Sequence, residues 1–367
     1  MMQRRTFLGT ALAVANTSPL LAALRGERWE DASKVLERAT AAKNVQAAVL
    51  HVVQRDESFT RHFGKAASNE AMFLLGSISK PITVTAVMTL LDLGKFQLQD
   101  RVKKFLPNFT GDGRDAVTIR HLLTHVSGLP DQLANNHELR KQHAPLTAFA
   151  EETMRTRLEF APGARYQYSS MGILLAARIA ELISGSDIRT LVDRTVFQPL
   201  GMKHSAQGLG RFKLEDMVAC QMEGAAPESG GGDPQAKEWD WNSLYWRKLG
   251  APWGGTHASA PDLGMFLNEF LGDRGKVVKP ETTRLMIQNH NPEGLTPRGL
   301  GFGVGKVSGS PGCSERTFGH SGSTGTLCWA DPASETICVV LTSLPRRAAQ
   351  HHPRELAAER VAAAARR

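Results

Sequence analysis

Apolar positions follow a strand-like pattern near both ends of the chain and a helical pattern between them. Residues 45–54 and 58–64 are typical of two strands joined by a tight turn. Beyond residue 299 the strand-like pattern returns in four short segments separated by Gly, Pro and Asp turns, at residues 300–306, 316–320, 325–330 and 336–341. Because strands flank a long middle region, we expect one sheet assembled from the two ends of the chain.

The helical pattern recurs in five segments, at residues 30–42, 77–93, 171–184, 261–271 and 354–365. Gly94 and Gly185 stand where two of these helices should end. The predicted fold class is therefore α/β (α+β), an antiparallel sheet flanked by helices with a large, mostly helical insertion. We expect the active site between the two parts.

The first 25 residues differ from the rest of the chain. Arg4 and Arg5 precede an apolar stretch at residues 7–24 that is broken at residues 16–19, which makes it a poor membrane span. A charged start, a short apolar core and small residues are typical of a twin-arginine export signal, although a buried amphipathic first helix is the alternative.

The expected organisation is thus a signal segment at residues 1–25 and a single catalytic domain at residues 26–367. The sheet part should span about residues 26–66 and 295–367, and the helical part about 67–294. An export signal implies a periplasmic or extracellular location, with no integral membrane segment in the mature chain.

Composition changes this interpretation little. With 41% hydrophobic and 22% charged residues, the 367-residue chain is typical of a globular protein. The formal charge of +8 is spread without a basic run, which favours a solvated basic surface over nucleic-acid binding. We expect no cofactor and a small-molecule substrate as the partner, and the sequence does not reveal an oligomeric state.

The four cysteines show no zinc-binding spacing. Cys328 and Cys338 flank a predicted hairpin turn, so either a cross-strand disulfide or two buried thiols is expected, and we favour the thiols. His121 and His125 are four residues apart, as two zinc ligands on a helix would be. Without a third ligand, a structural role for both histidines is the better interpretation.

The segment Gly76-Ser77-Ile78-Ser79-Lys80 brings a hydroxyl and an amine together. Residues three apart share a helix face, so Lys80 can reach the Ser77 oxygen. Serine needs such a base to become a nucleophile, and lysine serves as a base only if burial or positive charge lowers its pKa. Alone, the motif would also fit a helix cap followed by a surface lysine.

Two later segments can complete a site. Tyr168 and Ser170 lie on the loop before the helix at 171–184, where a phenol can pass a proton to a leaving group. Gly319-His320-Ser321-Gly322-Ser323 ends a predicted strand, and the N–H of Ser323 could pair with that of Ser77 as an oxyanion hole. A core tyrosine and a glycine-rich hairpin turn are the alternatives.

In this order, these elements resemble the serine β-lactamase and penicillin-binding-protein family. The likeness is greatest to class C β-lactamases and the related esterases and D-amino-acid peptidases. It covers about residues 45–344, with further family-like stretches at residues 118–129, 199–202 and 299–303.

The resemblance implies an acyl-enzyme on Ser77, proton transfer by Lys80 and Tyr168, and an oxyanion held by the N–H groups of Ser77 and Ser323. It also implies that His320 belongs to the catalytic set. The substrate-binding residues that it implies are Ser170, Ser321, Gly322 and Ser323.

Two positions depart from the family. Ser170 stands where the family has asparagine, and lacks the amide that contacts the substrate's acylamide in relatives. His320 stands where the family has lysine, and is mostly neutral at pH 7 if its pKa is unperturbed. Both changes favour esters or amides without a carboxylate over β-lactams and D-Ala-terminated peptides.

The sequence therefore leaves three functions open. The leading one is an exported serine hydrolase cleaving an ester, amide or D-peptide bond. The others are a β-lactamase or DD-peptidase, and a slowly acylating binding or sensor protein. A cluster of tryptophans at residues 239–253 either lines an acyl pocket or packs against the helical part.

Overall fold

The computed structural model describes residues 28–366, which form mixed α/β structure. The signal segment expected at residues 1–25 lies outside the described residues. The α-helices are α1 Glu30–Ala41, α2 Ser79–Asp92, α3 Ile119–Leu123, α4 Asn136–Lys141, α5 Leu146–Arg155, α6 Ser170–Ser184, α7 Ile188–Val192, α8 Gln198–Leu200, α9 Leu244–Leu249, α10 Ala260–Leu271, α11 Pro280–Ile287 and α12 Pro353–Ala365.

The strands form two antiparallel sheets. They are β1 Ala47–Gln54, β2 Glu57–Gly64, β3 Phe73–Leu74, β4 Ser205–Gln207, β5 Thr256–Ala258, β6 Gly303–Val304, β7 Phe318–Gly322, β8 Thr326–Asp331 and β9 Thr336–Thr342. The larger sheet has the order β2-β1-β9-β8-β7-β6, and the smaller one the order β3-β5-β4. Since β1 pairs with β9, the sheet is assembled from both chain ends, as the sequence pattern predicts.

The six-stranded sheet is covered on both faces. Strand β9 is buried along its whole length, as expected for a central strand with apolar layers on either side. One layer contains Leu341 together with α10 and the helical part of the chain. The other contains Val340 and is closed by α1 and α12. The two chain ends therefore form one outer layer, and the helical insertion forms the opposite one.

The smaller sheet positions the start of α2. Strand β3 pairs with β5, and a 3₁₀ turn at Gly76–Ile78 then leads directly into α2. The β7–β8 turn is attached to the same segment, because Thr324 Oγ1 donates to Leu74 O at 2.7 Å and Thr326 Oγ1 donates to Leu75 O at 2.6 Å. The large sheet and α2 thus meet at one fixed point.

Helix α6 begins and ends with the residues expected of it. The Ser169 hydroxyl accepts the N–H of Gly172, which satisfies one of the free donors of the first turn. Gly185 adopts φ +67° directly after the last turn, a conformation that glycine reaches without strain. The loop before α6 is thereby anchored at a defined position.

Several boundaries differ from the sequence-based expectations. The strand expected at 300–306 is only Gly303–Val304, and the one expected at 316–320 runs from Phe318 to Gly322. Strands β3, β4 and β5 were not expected, since two or three residues are too short to show a period of two.

The disulfide alternative is wrong and the buried-thiol interpretation is confirmed. Trp329, not Cys328, pairs with Cys338 across β8 and β9. Neighbouring residues on a strand point to opposite faces, so the two thiols lie on different sides of the sheet. All four cysteines are buried and free.

Within residues 28–366, no helix is both long enough and apolar enough to cross a membrane.

Candidate active site

Ser77 lies in the 3₁₀ turn that precedes α2, next to the end of β7. Gly76 permits this turn by adopting φ +56°. The Ser77 side chain is half-buried, and its N–H lies in a first turn, where donors have no intrahelical acceptor. Its hydroxyl is therefore both fixed in position and open to the cleft.

Lys80 follows one turn later and is 1% exposed. Its Nζ donates to Ser77 Oγ at 3.2 Å and to the carbonyl oxygen of Trp253 at 3.0 Å. Burial lowers the pKa of Lys80 to about 7, with Asp131 opposing and Arg298 assisting the shift. A large fraction of this lysine is consequently a neutral amine near pH 7, able to accept a proton.

Tyr168 covers the same side of the cleft. The Lys80 Nζ lies 4.6 Å from the centre of its ring, and its hydroxyl lies 3.5 Å from His320 Nε2. Burial raises the pKa of Tyr168 above its usual value, although Arg298 and the Ser77 hydroxyl act in the opposite direction. Tyr168 is thus a phenol at neutral pH and carries a proton to donate.

His320 projects from β7 and is half-buried. Its Nδ1 lies 2.8 Å from the Ser321 carbonyl oxygen, which can only accept, so Nδ1 carries the proton. Its Nε2 lies 2.6 Å from Arg298 Nη2, which can only donate, so Nε2 is the acceptor. Burial and the charges of Arg298 and Lys80 lower the pKa of His320 well below its usual value. His320 is a neutral imidazole here.

Arg298 places a cation next to the neutral His320, and sequence reasoning missed this residue. The side chain is 8% exposed and lines the cleft beside His320. Its Nε has no hydrogen-bond partner within the described part of the chain. The only sequence signal was its position directly before the family-like stretch at residues 299–303.

The Ser170 side chain is buried and does not line the cleft. It is 2% exposed, and its hydroxyl donates to Asp131 Oδ1 at 2.6 Å. Its backbone N–H donates to the same oxygen at 2.9 Å. Asp131, which sequence reasoning also missed, therefore stabilises the N-terminus of α6 with a negative charge. A substrate-binding role for Ser170 stays a prediction.

The end of β7 comes close to Ser77. A Cβ atom on Gly76 would lie 3.3 Å from the backbone nitrogen of Ser323. Gly322 is in still closer contact, since a Cβ there would lie 2.1 Å from the Leu75 carbonyl oxygen. Glycine at this position is what allows the Ser323 N–H to approach the start of α2. Ser321, by contrast, is exposed and lines the cleft.

One cleft of about 580 Å³ is lined by Ser77, Tyr168, Arg298, His320 and Ser321. It runs from Ser77, Tyr168 and Arg298 across β7 to the far side of the sheet edge, where Glu355 and Glu359 of α12 line it. Such a volume suits a small organic substrate or a short peptide.

The tryptophan cluster packs in the protein interior, and His121 and His125 accept hydrogen bonds from the backbone. Trp239, Trp241 and Trp246 are buried and do not line the cleft, so the packing interpretation holds. His121 Nδ1 accepts the Thr118 N–H at the start of α3, and His125 Nδ1 accepts the Ser169 N–H at 3.1 Å. Among the described residues, no three metal-ligating side chains come together.

Comparison with known proteins agrees with this fold. A sequence model for the Beta-lactamase family matches residues 32–363. The chain belongs to the Beta-lactamase family. As a member of this family, it is an enzyme of the serine hydrolase superfamily.

Relatives within the family have differing descriptions. A Salmonella enteritidis protein named "Putative D-alanyl-D-alanine carboxypeptidase" is 27% identical over 307 residues, or 76% of this chain and 71% of its own. The solved structure of EstCE1, described as a hydrolase with promiscuous acyltransferase activity, has a TM-score of 0.76 at 19% identity, covering 92% of this chain and 99% of that one.

A D-amino acid amidase from Ochrobactrum anthropi has a TM-score of 0.73 at 20% identity, covering 92% of this chain and 98% of that one. At such identities, the solved structures establish the β-lactamase-like fold of this chain and do not identify its substrate.

Proposed function

We propose that this Beta-lactamase family member is an exported hydrolase that forms an acyl-enzyme on Ser77 and cleaves an amide or D-peptide bond next to a carboxylate. The observation that carries the proposal is the buried Lys80 amine, 3.2 Å from the Ser77 hydroxyl and with a pKa of about 7. A base whose pKa lies near the working pH is the best compromise between availability and strength.

In the acylation step, neutral Lys80 takes the Ser77 proton while Oγ forms a bond to the substrate's carbonyl carbon. The carbonyl oxygen becomes an oxyanion, which the N–H groups of Ser77 and Ser323 stabilise. The tetrahedral species then collapses, the bond to the leaving group breaks, and the leaving amine takes a proton from the Tyr168 phenol. Lys80 returns its proton to Tyr168, so both groups are restored.

In the deacylation step, water attacks the ester on Ser77 and gives up a proton to neutral Lys80. Collapse breaks the acyl–Oγ bond, and the proton on Lys80 passes back to Oγ. No metal or organic cofactor enters this sequence of proton transfers. The slowly acylating alternative is disfavoured because the relay from Ser77 to Lys80 needs neither Ser170 nor a cationic His320.

The substrate class follows from Arg298. This guanidinium lies in the cleft wall next to His320, the residue that stands where the family has lysine, and its contact with the neutral His320 holds it there. A fixed cation at this point supports a carboxylate on the leaving group. The sequence alone favoured substrates without a carboxylate, because His320 is neutral; Arg298 supplies the missing charge. The carboxypeptidase description of the Salmonella relative points in the same direction.

Simple esters are a second candidate. With the Ser170 hydroxyl directed to Asp131, no side-chain amide at this position meets the acylamide of a peptide. An ester needs no such contact, so ester turnover would proceed without it.

Export is proposed on the basis of Arg4, Arg5 and the apolar stretch that follows them. Fractionation of cells that express the full chain, with and without a lysine at both arginine positions, tests it.

A matched pair of substrates tests the function. An acyl-D-Ala-D-Ala peptide and its C-terminal carboxamide differ only in the carboxylate, and we expect kcat/KM to favour the carboxylate by about 10-fold or more. Arg298→Gln should remove most of that preference while retaining turnover of p-nitrophenyl acetate. The exposed Arg316→Gln is the control and should keep the preference.

Ser77→Ala should abolish turnover of every substrate and labelling by a fluorophosphonate. A wild-type protein that is not labelled, or whose turnover survives Ser77→Ala, would contradict the proposed function. Turnover of p-nitrophenyl esters without any peptide hydrolysis would select the esterase alternative, and rapid hydrolysis of nitrocefin would select the β-lactamase one.

A further inference from the structure

The peptide unit between Gly322 and Ser323 has two polar ends with different surroundings. Its N–H, on Ser323, lies beside Gly76 and has no acceptor among residues 28–366. Its C=O, on Gly322, accepts a hydrogen bond from Arg354 Nη1 at 2.5 Å. Because a trans peptide is planar, with its C=O and N–H in opposite directions, the arginine and the cleft lie at opposite ends of one rigid group.

Arg354 is a buried cation with little compensation by negative charge. It projects from the first turn of α12, is 2% exposed, and donates from Nη1 to the Thr326 carbonyl at 2.6 Å as well. Its Nη2 lies 3.5 Å from Glu355, and its Nε has no partner in the described part of the chain. Burial lowers the pKa of Arg354 to about 10. Its main hydrogen bonds are thus to the carbonyls at the two ends of the β7–β8 turn.

We infer that Arg354 is a positioning residue for the oxyanion hole, which fixes the Gly322–Ser323 peptide and strengthens the Ser323 N–H as a hydrogen-bond donor. This inference rests on the proposed function, since it assigns the Ser323 N–H to the oxyanion.

Two physical effects act together. A charge-assisted hydrogen bond to a peptide oxygen polarises the whole amide, so the N–H at the other end carries more positive charge. The same bond also holds the peptide plane in the orientation that the oxyanion needs before the reaction begins, which lowers the cost of reorganisation in the transition state. The opposite side is already fixed, because Gly322 packs against the Leu75 carbonyl and Thr326 donates to it.

A purely structural clamp would have a different signature. If Arg354 only held the hairpin together, its loss would lower stability and the fraction of active protein, and the remaining active protein would behave normally. An effect on the oxyanion hole appears in kcat and in the affinity for tetrahedral adducts, while KM changes little.

The test compares Arg354→Met, Arg354→Lys and the exposed Arg360→Met on the same helix. Active sites are titrated with a fluorophosphonate, and kcat and KM are measured for p-nitrophenyl butyrate. We expect Arg354→Met to lower kcat by about 10- to 100-fold, less than the roughly 100- to 1,000-fold loss of an oxyanion donor itself, with KM within about 3-fold. The Ki of an alkylboronic acid, which forms an anionic tetrahedral adduct, should rise in parallel. Arg360→Met should match the wild type.

Arg354→Lys keeps a charge near the carbonyl and should recover part of the loss. If Arg354→Met does not fold, Arg354→Lys decides the matter through the same per-site kcat and boronate Ki. Unchanged values in the folded variant would overturn the inference while leaving the proposed function intact. A wild-type protein without turnover or labelling would instead contradict the proposed function itself, and the inference with it.

Discussion

At the scale of single residues, Lys80 shows how the proposed chemistry conflicts with stability. Its ammonium would be buried and distant from bulk water, and this burial is the main cause of the lowering of its pKa to about 7. From an ordinary value of 10.5, this shift corresponds to about 5 kcal/mol in favour of the unfolded state at low pH. A base suited to neutral pH is therefore obtained at the expense of folding free energy.

Lys80→Met should stabilise the protein while abolishing turnover. We expect the free energy of unfolding to rise by about 1–3 kcal/mol at pH 6, because the lost hydrogen bonds to Ser77 and Trp253 offset part of the gain. The folded pKa is depressed below the unfolded one, so the wild-type deficit is complete below about pH 7 and fades as the pH rises toward 10.5. The advantage of the variant should shrink accordingly.

Guanidinium unfolding of both proteins at pH 6 and pH 9.5 measures this difference. The exposed Lys95→Met, just beyond the same helix, serves as the control and should leave stability unchanged at either pH. A Lys80→Met protein that is less stable than the wild type at both pH values would refute the argument.

The residues that sequence could identify are those whose chemistry depends on local spacing. Ser77 and Lys80 are three positions apart, and the structure places them in contact as that spacing predicts. Arg298 and Asp131 could not be identified in this way. The partner of Arg298, His320, is 22 positions away in the chain, and the partner of Asp131, Ser170, is 39 positions away. Only the packing of separate elements therefore reveals these contacts.

At the scale of elements, the contact between β7 and the start of α2 determines the site. The Gly322 backbone lies against the Leu75 carbonyl so closely that no side chain fits between them. The immediate neighbour of this glycine is therefore the protein's own chain.

Gly322→Ala should therefore separate the two halves of the site. An added Cβ would lie 2.1 Å from the Leu75 oxygen, so β7 must move away from α2 and carry the Ser323 N–H with it. We expect kcat to fall by about 100-fold or more, similar to the loss of an oxyanion donor. Gly254→Ala is a matched control from the same neighbourhood, since the nearest atom to its Cβ would be 4.0 Å away.

Kinetics with p-nitrophenyl butyrate, together with thermal unfolding of both variants, makes the comparison. Full activity in Gly322→Ala would show that the close approach of β7 to α2 is not needed for turnover.

Element prediction from the sequence succeeded where segments are long. The helix expected at 171–184 is Ser170–Ser184, and the strand expected at 336–341 is Thr336–Thr342. It failed for β3 and β5, whose two and three residues are held by partners distant in the chain and not by any local pattern. These short strands matter for function, because they orient the turn that contains Ser77.

At the scale of the whole molecule, the two chain ends are joined to each other far from the site. Arg28 donates from Nε and Nη2 to the Ala364 carbonyl, at 3.0 and 2.8 Å, and from Nη1 to Gln54 Oε1 at 2.6 Å. A cation at the C-terminus of α12 satisfies carbonyls that lack an intrahelical partner and complements the helix dipole. Gln54 also donates to the Ala365 carbonyl at 3.0 Å.

The sheet register places this contact at the opposite end from the cleft. Gln54 pairs with Thr336 at one end of β1, whereas Ala48 pairs with Thr342 at the other end, next to the β7–β8 turn. Arg28→Ala should consequently lower the free energy of unfolding by about 1–2 kcal/mol through the lost hydrogen bonds, while kcat and KM stay at wild-type values. Arg38→Ala, an exposed arginine on α1, is the control and should change neither quantity. Arg354 lies on α12, the helix that Arg28 contacts, so Arg28→Ala and Arg354→Met test two separate functions of that helix. A changed kcat in Arg28→Ala would mean that the whole helix, and not Arg354 alone, influences the oxyanion hole.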